Sequence, residues 1–302
     1  MANYTLRQLR YFVTTVEYGS VAEASRRLFI AQPSVSAAIK TLEDNFGVQL
    51  LIRHHAQGVS LTPSGSRFHR RAVKLLRMAH EFEQNALADS DSVAGKVDVA
   101  CFETVAPLIL PRLICGFKAR YPGVEVMIRD GEQDELLQGL ATGRFDLALL
   151  YQHELGDTLT IEPLVAPRKP YILLPANHPL AARCEVSLTD LATEPMVLLD
   201  VLPSRNYFIS LFTRAGITPN IVFSSPSLEL VRGMVGCGAG FAVLVTRPGG
   251  DRSYDGQPLA VAELQDEVEG SALAAVWLAD GRLTKPAELF VAFCKSELPG
   301  ML

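Results

Sequence analysis

Apolar residues at the start of the chain recur every three or four positions. Leu6, Leu9, Phe12, Val13 and Val16 fall on one side of a helix over 5–17. Gly19-Ser20 interrupts it. Ser20 is placed to cap a second helix, with Glu23 three residues on in a capping-box pattern. Val21, Ala24, Ser25 and Leu28 share one face of that helix. Phe29-Ile30-Ala31 makes a short turn, and Gln32-Pro33 opens a third helix. Proline suits the first helical position, where its missing N–H would be unpaired anyway. Val35, Ile39 and Leu42 face inward, and the helix ends near Gly47. Two short helices joined by a three-residue turn form a helix-turn-helix pattern, and Ala24 is small where they would cross. Any three-helix core can show the same pattern, so it leaves function open.

An apolar run over 48–52, a turn over 53–58 and a return over 59–61 read as a two-stranded wing. Thr62-Pro63 then starts a helix that runs to about residue 87, threonine as cap and proline in the first turn. Phe68, Ala72, Leu75, Leu76, Ala79, Phe82 and Ala86 form one broad apolar face on it. Such a stripe needs a partner, either a second copy or the chain's own body. Residues 89–95, DSDSVAG, are small and polar, and read as a hinge.

Beyond the hinge the period changes. Strands are predicted over 96–102, 124–128 and 146–151, and helices over 107–121 and 135–142. The alternation continues to the C-terminus and predicts an α/β body with largely parallel sheets. Residues 225–244 read as a capped helix, a glycine turn and a strand. Gly236-Cys-Gly-Ala-Gly240 lacks the Gly-x-Gly-x-x-Gly spacing and follows a helix, so it reads as a helix end rather than a dinucleotide loop. Cys101 and Cys237 read as packed thiols, with a redox sensor as the alternative.

Composition narrows the class. A hydrophobic content of 48% over 302 residues excludes a disordered chain and allows two or three domains. No run of eighteen apolar residues occurs, and the first residues lack the apolar core of an export signal. The five cysteines are odd in number, have no Cys-x-x-Cys pair and do not cluster with histidine. These features predict a reducing cytoplasm and no structural zinc. The charge is split. Residues 1–80 hold 11 lysines and arginines against 4 acidic residues, whereas 81–302 hold 17 against 29. A basic head on an acidic body predicts that the head meets a polyanion. No Gly-x-Ser-x-Gly elbow, His-Glu-x-x-His helix or phosphate-binding loop appears, and no catalytic residue or enzyme activity is expected.

Residues 5–65 closely resemble the DNA-binding domain of LysR-type transcriptional regulators. The resemblance rests on LRQLRYF at 6–12, Gly19-Ser20, Leu28, AQPSVS at 31–36, Ile39, Leu42-Glu43, FGVQL at 46–50, Arg53, Leu61-Thr62-Pro63 and Gly65. It extends along the chain through Leu110-Pro111, Phe117, Tyr121-Pro122, GRFD at 143–146, HPLA at 178–181 and Gly236–Gly240. It implies a winged helix-turn-helix over 1–62, a linker and dimerisation helix over 63–88, a hinge over 89–95 and an effector domain over 96–302. That domain would be two α/β lobes, one over 96–164 and 268–302, the other over 165–267, similar to periplasmic binding proteins. The implied partners are promoter DNA, further copies of the chain in a dimer or tetramer, RNA polymerase in the case of an activator, and a small-molecule effector. No cofactor, metal or membrane is implied.

Position by position, the resemblance places Gln32, Pro33, Ser34 and Ser36 at the DNA-facing start of the recognition helix. Gln32 suits adenine, and Lys40 and Arg53 suit phosphate. Unbonded N–H groups at the helix start are expected to attract phosphate as well. Family members commonly carry arginine where this chain has Ala37, and often in the wing, where it has His54, His55 and Gln57. In the effector domain the matching positions are Glu103, Thr104, Gln133, Pro203, Ser204, Arg205, Ser225 and Ser227. Thr104 and Arg205 would suit a carboxylate effector, whereas Glu103 would oppose a dianion. Read without the resemblance, Thr104 and Ser227 serve equally well as helix caps and Arg205 as a surface charge.

Overall fold

The computed structural model describes residues 4–54, 58–87 and 93–301. The head consists of α1 (Leu6–Glu17), α2 (Val21–Leu28) and α3 (Gln32–Phe46). Leu9, Phe12, Ile39, Leu42 and Leu50 bury its centre, and Ala24 is solvent-free at the helix crossing. The reciprocal capping box forms at Thr5, where Gln8 N donates to Thr5 Oγ1 (3.2 Å) and Thr5 N to Gln8 Oε1 (2.8 Å). At Ser20 only half of the expected box forms: Glu23 N donates to Ser20 Oγ at 3.4 Å. The Glu23 carboxylate instead pairs with Arg26 (2.6 Å) and Arg27 (3.3 Å), one turn along its own helix. The turn between α2 and α3 is tight because Phe29 takes a left-handed conformation (φ 55°) and Ile30 N donates to Ser25 O (3.0 Å).

The wing is β1 (Leu51–His54) antiparallel to β2 (Gly58–Leu61), with Arg53 opposite Val59. It starts later than residue 48 because the Glu43 carboxylate takes the N–H groups of Leu50 (2.8 Å) and Leu51 (3.2 Å). Gly58 has φ +89°, and a Cβ there would lie 2.2 Å from Gly19 O, so only glycine lets the wing close on the α1–α2 turn. The rest of the wing tip, His55 to Gln57, lies outside the described residues, as do hinge positions 89–92.

The linker is α4 (Pro63–Leu87). Thr62 caps it, its hydroxyl accepting from Gly65 N (2.8 Å) and donating to Gln49 O (2.7 Å). Phe68 meets the edges of Phe12 and Phe46, and Ala72 is buried beside them. Further along, Phe82 is 75% exposed, so this part of the apolar stripe is uncovered among the described residues.

The body begins with β3 (Gly95–Phe102), α5 (Ala106–Arg120), β4 (Val124–Gly131), α6 (Gln133–Thr142), β5 (Leu147–Tyr151) and β6 (Leu159–Pro163). A second group follows: β7 (Tyr171–Pro175), β8 (Glu185–Val186), β9 (Pro195–Leu199), α7 (Ser204–Arg214), β10 (Asn220–Ser225), α8 (Leu228–Gly236), β11 (Ala242–Leu244) and β12 (Leu259–Leu264). The chain then returns as β13 (Leu273–Leu278) and ends in α9 (Lys285–Glu297). One sheet has the order β4-β3-β5-β13-β6. The other has the order β11-β7-β12-β8, with the parallel pair β9–β10 attached through a Met196–Phe241 bridge.

Both sheets are mixed, not largely parallel. β3 runs parallel to β4 and β5, but β13 runs antiparallel to β5 and β6. The reason is the double crossing. The chain leaves the first sheet at the end of β6 and re-enters at the same end as β13, between β5 and β6, so the two strands must run in opposite directions. The crossing segments are tied together by Arg168 N to Ser271 O (3.0 Å) and Ser271 N to Arg168 O (2.8 Å).

Candidate DNA-binding surface and ligand cleft

On α3, Val35, Ile39 and Leu42 hold the helix on the core, which leaves Gln32, Pro33, Ser34, Ala37 and Lys40 exposed and Ser36 half-buried. The helix starts at Gln32, with Ala31 as a cap that has no side-chain hydrogen bond. Val35 N donates to Ala31 O (3.4 Å) as the first regular helical bond, Ser34 N approaches the same oxygen (2.9 Å), and Pro33 has no N–H. Arg53 and His54 are exposed on the wing, where His54 Nε2 lies 2.8 Å from Ser60 Oγ. The surface therefore joins one polar helix face to a basic strand end. An α-helix fits the width of the major groove.

Between the two sheets lies a cleft, closed down to about 10 Å³, the room of a single water. Thr104, Ser204, Thr246 and Ser271 supply hydroxyls to it, and Tyr151, His153, Tyr207 and Phe208 supply rings. Thr104 Oγ1 and Thr246 Oγ1 are 3.5 Å apart, and Tyr151 Oη is 2.9 Å from Thr246 Oγ1. The His153 ring stacks on Tyr207 (centroids 4.5 Å apart) and reaches Ser271 Oγ through Nε2. Tyr207 Oη donates to Glu269 O, and Asn206 Nδ2 donates to Glu154 Oε1 (3.0 Å), which fastens α7 across the gap. Burial lowers the His153 pKa, so the imidazole is held neutral against the pull of Glu269 and Glu154. Burial also pushes the Tyr151 hydroxyl up to about 12, which keeps it a donor.

The expected ligand residues separate. Thr104 and Ser204 line the cleft. Thr104 is not a cap, since Val105 caps α5 without a side-chain bond. Gln133 is buried at the start of α6, its Nε2 donating to His153 O (2.9 Å), while its Oε1 is unpaired. Glu103 sits beside it with Oε1 buried and unpaired; burial first, then Glu132 and Asp130, raise its pKa. Arg205 is exposed and pairs with Asp200 (3.1 Å), outside the cleft lining. Ser227 is the exposed cap of α8 (Leu230 N to Oγ, 3.3 Å), and Ser225 accepts from Ser227 N (3.1 Å). Pro203 forms a cis peptide with Leu202 and caps α7. Sequence reading missed Tyr151, His153, Tyr207, Thr246 and Ser271. They lie on four separate stretches, and apart from Tyr151 and His153, two residues apart, no local spacing links them. Cys101 is buried as expected, but Cys237 is exposed because it stands at the end of α8, where Gly238 turns the chain away. Among the described residues no group of three or more histidine, cysteine or acidic side chains is placed to share a metal ion, and no helix is long and apolar enough to cross a membrane.

Fold and sites together define a DNA-binding module carried on a two-lobed small-molecule binder. Comparison with known proteins identifies the family. Residues 6–66 match the bacterial regulatory helix-turn-helix of the lysR family, and residues 90–299 match the LysR substrate binding domain. YvbU of Bacillus subtilis, an uncharacterized HTH-type transcriptional regulator, is 30% identical over 295 residues, 96% of this chain and 98% of that protein. The crystal structure of HinK, a LysR family transcriptional regulator from Pseudomonas aeruginosa, is 59% identical with a TM-score of 0.67, covering 99% of this chain and all of that one. Full-length OxyR from Pseudomonas aeruginosa is 26% identical with a TM-score of 0.75, covering 97% and 98%. The chain belongs to the LysR family of transcriptional regulators: it is a regulator with a helix-turn-helix DNA-binding domain and an effector-binding domain, not an enzyme.

Proposed function

We propose that the exposed face of α3 enters the major groove of promoter DNA, with Gln32 reading a base edge and Ser34, Ser36, Lys40, Arg53 and His54 fixing the register on the backbone. The observation that carries this reading is the division of α3 into a buried apolar face and a polar face left exposed among the described residues. Two copies of the chain associate through the outer stripe of α4, where Phe82 stands uncovered. This gives two recognition helices at a fixed spacing, and pairs of dimers form tetramers. The regulator works in the cytoplasm, where promoter occupation either recruits RNA polymerase or blocks it.

The effector occupies the cleft between the two sheets. It is a small polar molecule with one flat face, held by the hydroxyls of Thr104, Ser204, Thr246 and Ser271 and stacked near Tyr207. A carboxylate would have to rely on these hydroxyls, because Arg205 is engaged with Asp200. At about 10 Å³ the cleft admits a ligand only if the lobes part, which couples occupancy to geometry. The test is a gel shift and footprint on the DNA upstream of the chain's own gene over a range of salt, with a thermal-shift screen of carboxylates and neutral metabolites. Specific, salt-sensitive binding with a footprint altered by a stabilising compound is expected. Sequence-independent binding, or a stabilising compound that leaves affinity and footprint unchanged, would refute the reading.

A further inference from the structure

A second and larger cavity, of about 670 Å³, lies between the linker helix and the first sheet's lobe, away from the cleft. Its size is that of a small-molecule site. Trp277, Phe145, Leu140 and Leu283 give it apolar walls. Arg67, Arg70, Arg71 and Lys74 of α4 line one side of it, Arg282 enters from the loop between β13 and α9, and Lys285 stands at the start of α9, where it pairs with Glu288 (3.7 Å). Against these six cations stand two acids, Asp146 and Asp280, and the Asp146 carboxylate already accepts the Asp98 N–H (2.8 Å). Arg70, Arg71, Lys74 and Arg282 make no ion pair with a described carboxylate.

On α4 the cations stand at i, i+3, i+4 and i+7, so like charges face one another along one helix face, which destabilises a helix without counter-charge. An anion in this cavity would relieve the repulsion, and the apolar walls would take up a hydrophobic body. We propose that the cavity is a second effector site, for an amphipathic anion: an aromatic or aliphatic body against Trp277 and Phe145, and a carboxylate or phosphate head on the arginines. Such a ligand touches α4 and the first lobe together, so its binding changes how the DNA-binding head is held on the body, without passing through the cleft.

Trp277 is the chain's one tryptophan, so its emission reports this cavity alone. The experiment titrates the full-length protein with 1-anilinonaphthalene-8-sulfonate under tryptophan-selective excitation and follows energy transfer, then competes the probe with decanoate, decyl phosphate or decanol. Saturable transfer is expected, displaced by one or both anions and not by decanol; which anion displaces it distinguishes the two head groups. Lys74→Gln with Arg282→Gln should weaken the probe at least about tenfold. Arg282→Gln alone, on an exposed loop, should weaken it in the same direction should the double variant fail to fold. Tyr207→Phe, in the cleft, should leave it unchanged. No saturable transfer, equal affinity in the charge variants, displacement by decanol as readily as by the anions, or a Trp277 shielded from acrylamide because a second copy fills the groove would each overturn the proposal.

Discussion

Glu43 should hold the wing to the recognition helix. Its carboxylate accepts both the Leu50 and Leu51 N–H groups, at 2.8 and 3.2 Å, and these two residues are 0% and 3% exposed. Glu43→Ala removes the acceptor and leaves two donors shut away from water. A buried unsatisfied donor costs about 1–3 kcal/mol, and the longer of these bonds contributes less, so the loss should be about 2–3 kcal/mol. Glu43→Gln keeps an oxygen in place but gives up the charge, and should cost about 1 kcal/mol. The cost falls on a local opening of the wing. Hydrogen exchange of the segment 48–54 in the full-length protein measures it directly, and should accelerate roughly 30- to 150-fold in Glu43→Ala. DNA affinity should fall in the same order, wild type above Gln above Ala, because Arg53 loses its fixed position on β1. Exchange within about twofold of wild type would refute the reasoning, since the two hydrogen bonds would then carry no net stabilisation.

Four further outcomes follow from the geometry. Arg53→Ala should weaken binding evenly across sequences and reduce the slope of log affinity against log salt by about 1, as read by fluorescence anisotropy, whereas loss of preference at one base instead would place Arg53 in the groove. Ala37→Arg should change the preferred site in a randomised library, because position 37 lies on the exposed face of α3; an unchanged site preference would remove that position from the interface. Glu103 has a raised pKa in the folded protein, so it is comfortable when protonated, and its share of stability is present below the ordinary glutamate range and lost as pH rises through its folded pKa. Glu103→Gln should therefore raise the melting temperature at neutral pH, with the gain disappearing on acidification below that range. Tyr207→Phe removes the bond to Glu269 O and should loosen the cleft, seen as faster exchange over 200–210 and over 266–272 with little change at the DNA-binding head.

Much of the head was legible in the sequence because its determinants are local. Helical spacing located Val35, Ile39 and Leu42 on the inner face of α3, and small size located Ala24 at the crossing. Thr62 was readable as a cap because cap and donor are three residues apart. The same local logic overreached at Ser20, where Glu23 has a choice of partners and takes the arginines one turn ahead. Strand direction was not legible. β5 and β7 are buried along their whole length, and β13 is buried over its first four residues, so their apolar runs read alike in parallel and antiparallel pairs.

By itself the sequence determined the order of modules, the split of charge between head and body, the inner and outer faces of α3 and the family motifs, all of which depend on neighbours a few residues apart. Only the tertiary structure decided what meets across the lobes. It brought Tyr151, His153, Tyr207, Thr246 and Ser271 to Thr104 and turned Arg205 out to Asp200. It also set the basic face of α4 opposite Trp277. Those juxtapositions follow from the path of the chain through two sheets and back, and long-range chain path leaves no periodic trace in the residues it joins.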